Sequence, residues 1–157
     1  MNAFTIALIV VGAVAGVAAI FGVVTFVLAT LSGWKSLAQR RPDRDVPLVQ
    51  RFRWQSLRVN RVSYNNCVAV DVTTEGVRFR VMWPFSHSHA PVLLPWGQFA
   101  VQRGKAFKLV PVVTIVPDDP RDVTIRITSR LAEQIESVAG EYWRAALDRA
   151  AVRSSDA

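Results

Sequence analysis

The sequence predicts an α+β fold: one N-terminal transmembrane helix, then a small antiparallel β-sheet or barrel that a C-terminal helix closes. Three features lead to this prediction. Residues 4–31 carry no charged side chain, which is typical of a membrane span. About seven short segments of alternating apolar and polar residues follow, bounded by turn residues. An amphipathic segment lies near the end of the chain, and its apolar stripe needs a surface to cover.

The uncharged N-terminal run is long enough for a helix to cross a bilayer. A helix rises about 1.5 Å per residue, and the hydrocarbon core is about 30 Å thick. A cleaved signal peptide is the main alternative, but it needs a basic start and an apolar core of only about 7 to 15 residues. Met1, Asn2 and Ala3 are not basic, and the apolar run is longer. We therefore expect a retained single-pass anchor.

Charge after the span predicts its orientation. Six basic residues follow closely, against the acidic residues Asp43 and Asp45: Lys35, Arg40, Arg41, Arg44, Arg51 and Arg53. Because Lys and Arg are retained on the cytoplasmic side, the globular part is expected to be cytoplasmic, with the N-terminus outside. Trp34 is expected at headgroup level, and residues 36–41 are expected to extend the helix until Pro42 ends it.

Small residues recur at intervals of four along the span, where they let another backbone approach closely. These pairs are Gly12 with Gly16, Ala15 with Ala19, and Ala18 with Gly22. The pattern predicts a helix–helix contact, either with a second copy or with another membrane protein.

The chain divides into four predicted segments. Residues 1–41 form the transmembrane helix and its juxtamembrane extension, and residues 42–48, with two prolines and mixed charges, form a linker. Residues 49–151 form the β domain with its C-terminal helix. Residues 152–157 are expected to be a disordered tail.

Alternation and turn residues predict the strands and their connections. The alternation of apolar and polar residues changes phase near Gln55, which suggests a bulge there. Tyr64-Asn65-Asn66 is interpreted as a turn. Thr73-Thr74-Glu75-Gly76 is interpreted as a hairpin turn. The segment from Val77 to Trp83 is the clearest two-faced strand. A turn at Arg103-Gly104-Lys105 is expected to join the next pair of strands.

The C-terminal helix is expected to begin with Ser129 as its cap and to run to about Ala151. Leu131, Ile135, Val138 and Tyr142 recur at helical spacing and form its predicted apolar face.

The net charge of +7 lies entirely after residue 31. A basic domain beside a membrane suits anionic headgroups, although positive charge there also serves simply to set topology. Candidate contacts with an anionic surface are Lys35, Arg40, Arg41, Arg44, Arg58 and Arg61. Arg58, Arg61, Arg78 and Arg80 lie on consecutive predicted strands, yet solvated arginines on an outer face are the favoured interpretation. The basic residues are too scattered to predict specific nucleic-acid binding.

No catalytic or cofactor pattern stands out. The single cysteine, Cys67, excludes an internal disulfide, fits a reducing cytoplasm and lies in an apolar run typical of a buried thiol. His87-Ser88-His89 has too few neighbouring ligands for zinc and is interpreted as a solvated loop. Motifs for nucleophilic hydrolysis, phosphate binding or zinc proteolysis do not occur in the sequence. We expect no enzyme activity, no cofactor, no metal and no small-molecule substrate.

Four short motifs resemble those of uncharacterised bacterial single-pass membrane proteins with a PH-like or GRAM-like cytoplasmic domain. The motifs are Ser32-Gly33-Trp34-Lys35-Ser36-Leu37-Ala38, Phe52-Arg53-Trp54, Tyr64-Asn65-Asn66-Cys67 and Pro91-Val92-Leu93-Leu94-Pro95-Trp96. The resemblance implies a PH-like fold and an anchor in the bacterial inner membrane, and it implies no activity. The expected function is a non-enzymatic module that binds a protein or the membrane surface. The alternative is a single-helix accessory subunit of a larger membrane complex.

Overall fold

The computed structural model describes residues 2–106 and 109–155. It begins with helix α1, Ala3–Leu31, which has 29 residues and a mean hydropathy of 2.7 over its most apolar window. At about 1.5 Å per residue the helix is about 43 Å long, so its length and composition are sufficient to cross a membrane. Most of its surface is exposed, and its two buried residues, Thr25 and Ala29, lie near its C-terminal end.

A tight turn separates α1 from helix α2, Trp34–Arg40, so the prediction of one continuous helix was wrong. Gly33 makes the turn with a φ of +76°, and a Cβ there would lie 2.6 Å from Cγ1 of Val123. The expected headgroup position of Trp34 is also wrong, because its side chain is fully buried. The turn directs the indole into the domain rather than toward lipid.

Seven antiparallel strands form one curled sheet, and they confirm the predicted fold class. The strands are β1 (Leu48–Val59), β2 (Val62–Thr73), β3 (Gly76–Val81), β4 (Val92–Pro95), β5 (Phe99–Ala106), β6 (Val110–Pro117) and β7 (Ile125–Thr128). Their order is β4-β3-β2-β1-β7-β6-β5. The sheet therefore consists of two meanders, β1 to β4 and β5 to β7, which are joined where β1 pairs with β7. Residues 42–47 belong to the predicted linker, yet they pack against the domain. Val46 is buried, and Pro42 forms an isolated β-bridge with Val92.

The bulge predicted near Gln55 is confirmed by register shifts on both sides of that residue. The hairpin at residues 73–76 is confirmed as well, since Thr73 Oγ1 accepts from the Gly76 amide at 3.0 Å. The turn predicted at Tyr64, Asn65 and Asn66 was wrong, because these residues lie within β2. The chain instead reverses at residues 60–61, where Asn60 adopts a φ of +53°.

The strand pairing predicted around Gly104 is correct, but the position of its turn is not. Gly104 lies within β5 and pairs with Val112 of β6. Backbone hydrogen bonds continue as far as the pair Ala106 and Val110. The connection therefore includes residues 107–108, which lie outside the described residues.

Two helices replace the single predicted C-terminal helix: α3, Ser129–Ala139, and α4, Glu141–Ser155. Gly140, with a φ of +54°, separates them. Thr128 rather than Ser129 is the cap, since its side chain accepts from the Leu131 amide at 3.2 Å. The break rotates the apolar stripe, so that Trp143 is buried and Tyr142 is exposed. Helix α4 includes residues 152–155, so this part of the predicted disordered tail is helical, and residues 156–157 lie outside the described residues.

The core lies between the curled sheet and the helices. Helix α3 contacts β1, β2, β6 and β7, while α4 contacts β5 and α2 contacts β4. The largest fully buried side chains include Trp34 from α2, Phe79 from β3, Ile135 from α3 and Trp143 from α4. Helix α2 is thus part of the domain, and α1 is the only described element that leaves it.

Candidate functional site

The connection between β3 and β4, residues 82–91, lies against the C-terminal third of α1. It contains a short 3-10 helix, Phe85–Ser88. The rings of Phe21 and Phe85 are 5.0 Å apart. Thr25 Oγ1 lies 2.9 Å from Nε2 of His87, which places a polar contact directly after an apolar one along the helix. Helix α1 therefore touches the domain well before its own last residue.

A buried polar cluster continues this joint into the domain. Nδ1 of His89 lies 3.0 Å from the Phe85 carbonyl oxygen, which can only accept, so Nδ1 carries a proton. Nε2 of the neutral ring then accepts from the Tyr64 hydroxyl at 2.9 Å. That hydroxyl in turn accepts from Ser32 Oγ at 2.9 Å. The Trp34 indole packs on the rings of Tyr64 and His89, and its Nε1 donates to the Ala90 carbonyl oxygen at 2.8 Å.

Burial keeps the cluster uncharged. It lowers the pKa of His89, mainly because the charged imidazolium would lose its hydration. It also raises the pKa of Tyr64. The solvated loop predicted for residues 87–89 is therefore wrong for His89, which is buried, although His87 is exposed.

The opposite side of the same connection borders a cavity of about 350 Å³, here called the arginine pocket. Its walls come from β1, β2, β3 and residues 82–91, and they comprise Arg51, Arg53, Ala69, Arg80, Val81, Met82, Trp83, Ser86, His89 and Pro91. The side chain of Trp83 is 84% exposed. A basic wall thus faces an exposed indole across a small cavity.

Asp71, buried on β2, organises the arginines. Arg51 donates to both of its carboxylate oxygens, at 2.7 and 2.9 Å. Arg80 lies 3.7 Å and Arg78 3.9 Å from the same carboxylate, while Nε of Arg78 also donates to Asp43. Hydrogen bonding to Asp71 raises the pKa of Arg51 further above its already high ordinary value.

The pocket retains an excess of positive charge. Arg53 makes no ion pair with any residue in the described part of the chain. Nε of Arg80 is buried and has no hydrogen-bond partner among the described residues. Three arginines therefore line the pocket, Arg51, Arg53 and Arg80, and the single carboxylate of Asp71 pairs with two of them, Arg51 and Arg80.

The basic residues predicted to contact an anionic surface lie elsewhere. Arg40 and Arg41 both bind the buried carboxylate of Asp122, at 2.6 and 3.1 Å, and so fasten α2 to the domain. Lys35 lies 5.1 Å from the Phe26 ring on α1. Arg44 is 4.0 Å from Glu75.

Arg58 and Arg61, the other two predicted contacts, lie at the β1–β2 turn. Arg58 donates to the Arg61 carbonyl oxygen at 3.4 Å. None of the six predicted residues lines the arginine pocket. Sequence reasoning missed Arg51 and Arg53 as pocket residues and used them only for topology. The available signal was that Arg51 and Arg53 are two apart on β1, Arg78 and Arg80 are two apart on β3, and Asp71 lies on the strand between.

The small-residue face of α1 is exposed. A Cβ at Gly12, Gly16 or Gly22 would meet nothing within 4 Å. Gly16 precedes Thr25 by about two and a half turns, so it lies on the side of α1 opposite the domain. Ala15 and Ala19 are also exposed, whereas Ala18 borders a groove with Pro84.

The single thiol of the chain is the free Cys67 on β2. Burial raises the pKa of the half-buried Cys67 thiol, which keeps it protonated and weakly nucleophilic. Within residues 2–106 and 109–155, no three His, Cys, Asp or Glu side chains are grouped so that they could hold a metal ion.

None of the protein-family models, curated proteins or solved structures compared with this chain matches it.

Proposed function

We propose that this protein is a single-pass membrane protein whose PH-like β domain is a non-enzymatic interaction module held against the membrane surface. The observation that carries the proposal is the joint between α1 and residues 82–91. Phe21 and Thr25 of the apolar helix contact Phe85 and His87 of the domain. A cleaved leader would have no reason to make such contacts.

The length of α1 supports a position of the domain at the bilayer surface. The helix exceeds a hydrocarbon core of about 30 Å by about 13 Å, or about two and a half turns. Phe21 lies about 15 Å before the end of the helix by the same rise. If the span begins near Phe4, the contacts of Phe21 and Thr25 therefore lie close to the headgroup level. Residues 82–91 then rest in the interfacial region.

The proposed location is the bacterial inner membrane, with the N-terminus outside and the domain in the cytoplasm. The charge excess after the span supports this orientation. Pairing of Arg40 and Arg41 with Asp122 does not remove this excess of positive charge. The net charge of +7 already counts all acidic residues, and it lies after residue 31.

Two measurements test the proposal. A C-terminally tagged chain should remain in the membrane after alkaline carbonate extraction, and its N-terminal peptide should be present in the mature protein. An alkaline phosphatase fusion after Ala157 should be inactive, whereas a cytoplasmic reporter there should be active. Recovery of a soluble product that lacks α1 would refute the anchor, and an active phosphatase fusion would reverse the orientation.

A second candidate function is a single-helix accessory subunit. The observation that favours it is the position of Gly12 and Gly16 on the face of α1 away from the domain, where another helix can approach without a clash. Native purification from membranes separates the two functions. A stoichiometric large assembly supports the subunit, and an isolated monomer or dimer supports the module.

A further inference from the structure

We propose that the arginine pocket binds the phosphate group of an anionic phospholipid in the membrane to which the domain is tethered. This inference rests on the proposed function, since it requires α1 to hold the domain at the bilayer. It names the ligand of the module: a lipid headgroup with a negatively charged phosphate, held by guanidinium groups of β1 and β3.

Position is the first argument. Residues 82–91 form a wall with two sides. Pro84 and His87 border an apolar groove along α1, together with Val14, Val17 and Phe21. Trp83 and Ser86 border the arginine pocket. The pocket is therefore separated from α1 by one short segment, residues 82–91.

Chemistry is the second argument. A phosphate offers several acceptor oxygens, and guanidinium groups bind it with charge-assisted and often bidentate hydrogen bonds. Asp71 fixes the Arg51 guanidinium in place. Arg53 is exposed and makes no ion pair in the described part of the chain, and Arg80 has a buried N–H without a described partner. These two arginines provide the donors that the internal carboxylates do not use.

The exposed indole is the third argument, and it favours a lipid over an acidic protein. Trp side chains concentrate at the membrane–water interface, where the ring lies at headgroup level. Trp83 is 84% exposed and lines the pocket together with Met82 and Pro91. A cavity lined by both arginines and apolar side chains suits a phosphate that is attached to a glycerol backbone and acyl chains.

The test uses the full chain in detergent micelles, titrated with dihexanoyl phosphatidic acid and followed by tryptophan emission. Dihexanoyl phosphatidylcholine and inorganic phosphate are titrated in parallel. Arg53→Gln and Arg80→Gln should each weaken binding of the anionic lipid about tenfold or more, because a hydrogen bond to a charged group is lost. Arg130→Gln, in the first turn of α3, is the matched control. It removes the same charge from an exposed site outside the pocket, and it should change affinity by less than about twofold.

Several results would overturn the proposal. Equal weakening by Arg53→Gln and Arg130→Gln would mean that only overall charge matters. Equal affinity for phosphatidylcholine would exclude recognition of an anionic headgroup, and equal affinity for inorganic phosphate would assign the pocket to a soluble anion. Tight binding of an acidic peptide without any lipid preference would assign it to a protein partner. Carbonate extraction of each variant keeps a failed pocket distinct from a failed anchor, since the pocket variants should all stay in the membrane.

Discussion

The Tyr64 hydroxyl joins the end of α1 to the domain, and removing it tests whether that joint stabilises the fold. In the Tyr64→Phe variant, Nε2 of His89 loses the donor that lies 2.9 Å away. His89 is buried, so water does not readily replace that donor. A buried polar group left unpaired costs about 1–3 kcal/mol. Ser32 adds little to the loss, because its hydroxyl still has the Ala29 carbonyl oxygen at 3.3 Å.

The free energy of unfolding is measured for the full chain in lipid nanodiscs by pulse proteolysis in urea. With a urea dependence of about 1–3 kcal/mol per molar, typical of small domains, the midpoint should fall by about 1 M. Tyr142→Phe is the matched control, since the chain has two tyrosines. Tyr142 is exposed and stacks on Trp96 through its ring, so loss of its hydroxyl should change stability by less than about 0.5 kcal/mol. If Tyr64→Phe and the native chain have equal urea midpoints, the Tyr64 hydroxyl does not stabilise the contact between α1 and the domain.

Three further predictions concern the pH response, the core and the membrane helix. Burial lowers the pKa of His89 below its ordinary 6.5, so the unfolded chain binds a proton first as pH falls. Stability should therefore decrease from about pH 6.5 downward, and His89→Gln should show a smaller decrease in urea melts at pH 7.5 and 5.5. Ile135→Ala, at a fully buried position of α3, should cost about 2–5 kcal/mol in the same assay, whereas Val152→Ala on the exposed end of α4 should cost less than about 0.5 kcal/mol. Gly16→Leu should weaken association of α1 with a second copy or another subunit in an in-membrane assay. Val10→Leu, on the other side of α1, should not. Unchanged association of Gly16→Leu would contradict the predicted helix–helix contact.

Local patterns were sufficient to predict the elements that depend on local composition. The uncharged run gives α1, and alternation around Asp71 gives the β2–β3 hairpin with its turn at residues 73–76. The bulge near Gln55 was visible because a change of phase is a property of neighbouring residues.

Errors occurred where a single residue changes the direction of the chain. Gly33 ends α1 and turns Trp34 inward, and Gly140 rotates the apolar stripe from Tyr142 to Trp143. Both glycines adopt a positive φ, and a glycine that follows a helical pattern is a recognised end signal. Reading each glycine as a helix end, rather than as a tolerated interior residue, would have predicted both breaks.

The candidate site was missed for a different reason. His89 gains its partners from Tyr64 and Phe85, and Arg51 gains its partner from a neighbouring strand. Counting charges after the span selected Arg40 and Arg41, but Asp122, far along the chain, forms ion pairs with both. Which arginines keep unused donors is decided by tertiary contacts, and one-dimensional spacing does not contain that information.

The joint also bears on how strongly the arginine pocket must bind. Gly33 and the buried Trp34 leave little freedom between α1 and the domain. With α1 in the bilayer as proposed, the pocket would stay close to the membrane surface. Binding of a headgroup in the same membrane is then effectively intramolecular, and a tethered site can be occupied at an intrinsic affinity too weak for a free domain. Few donors suffice under these conditions, which agrees with a pocket built on Arg53 and Arg80 rather than on a dense basic loop. A variant that loosens the joint, such as Tyr64→Phe, should therefore lower headgroup occupancy in nanodiscs while leaving affinity for the short-chain lipid in micelles unchanged.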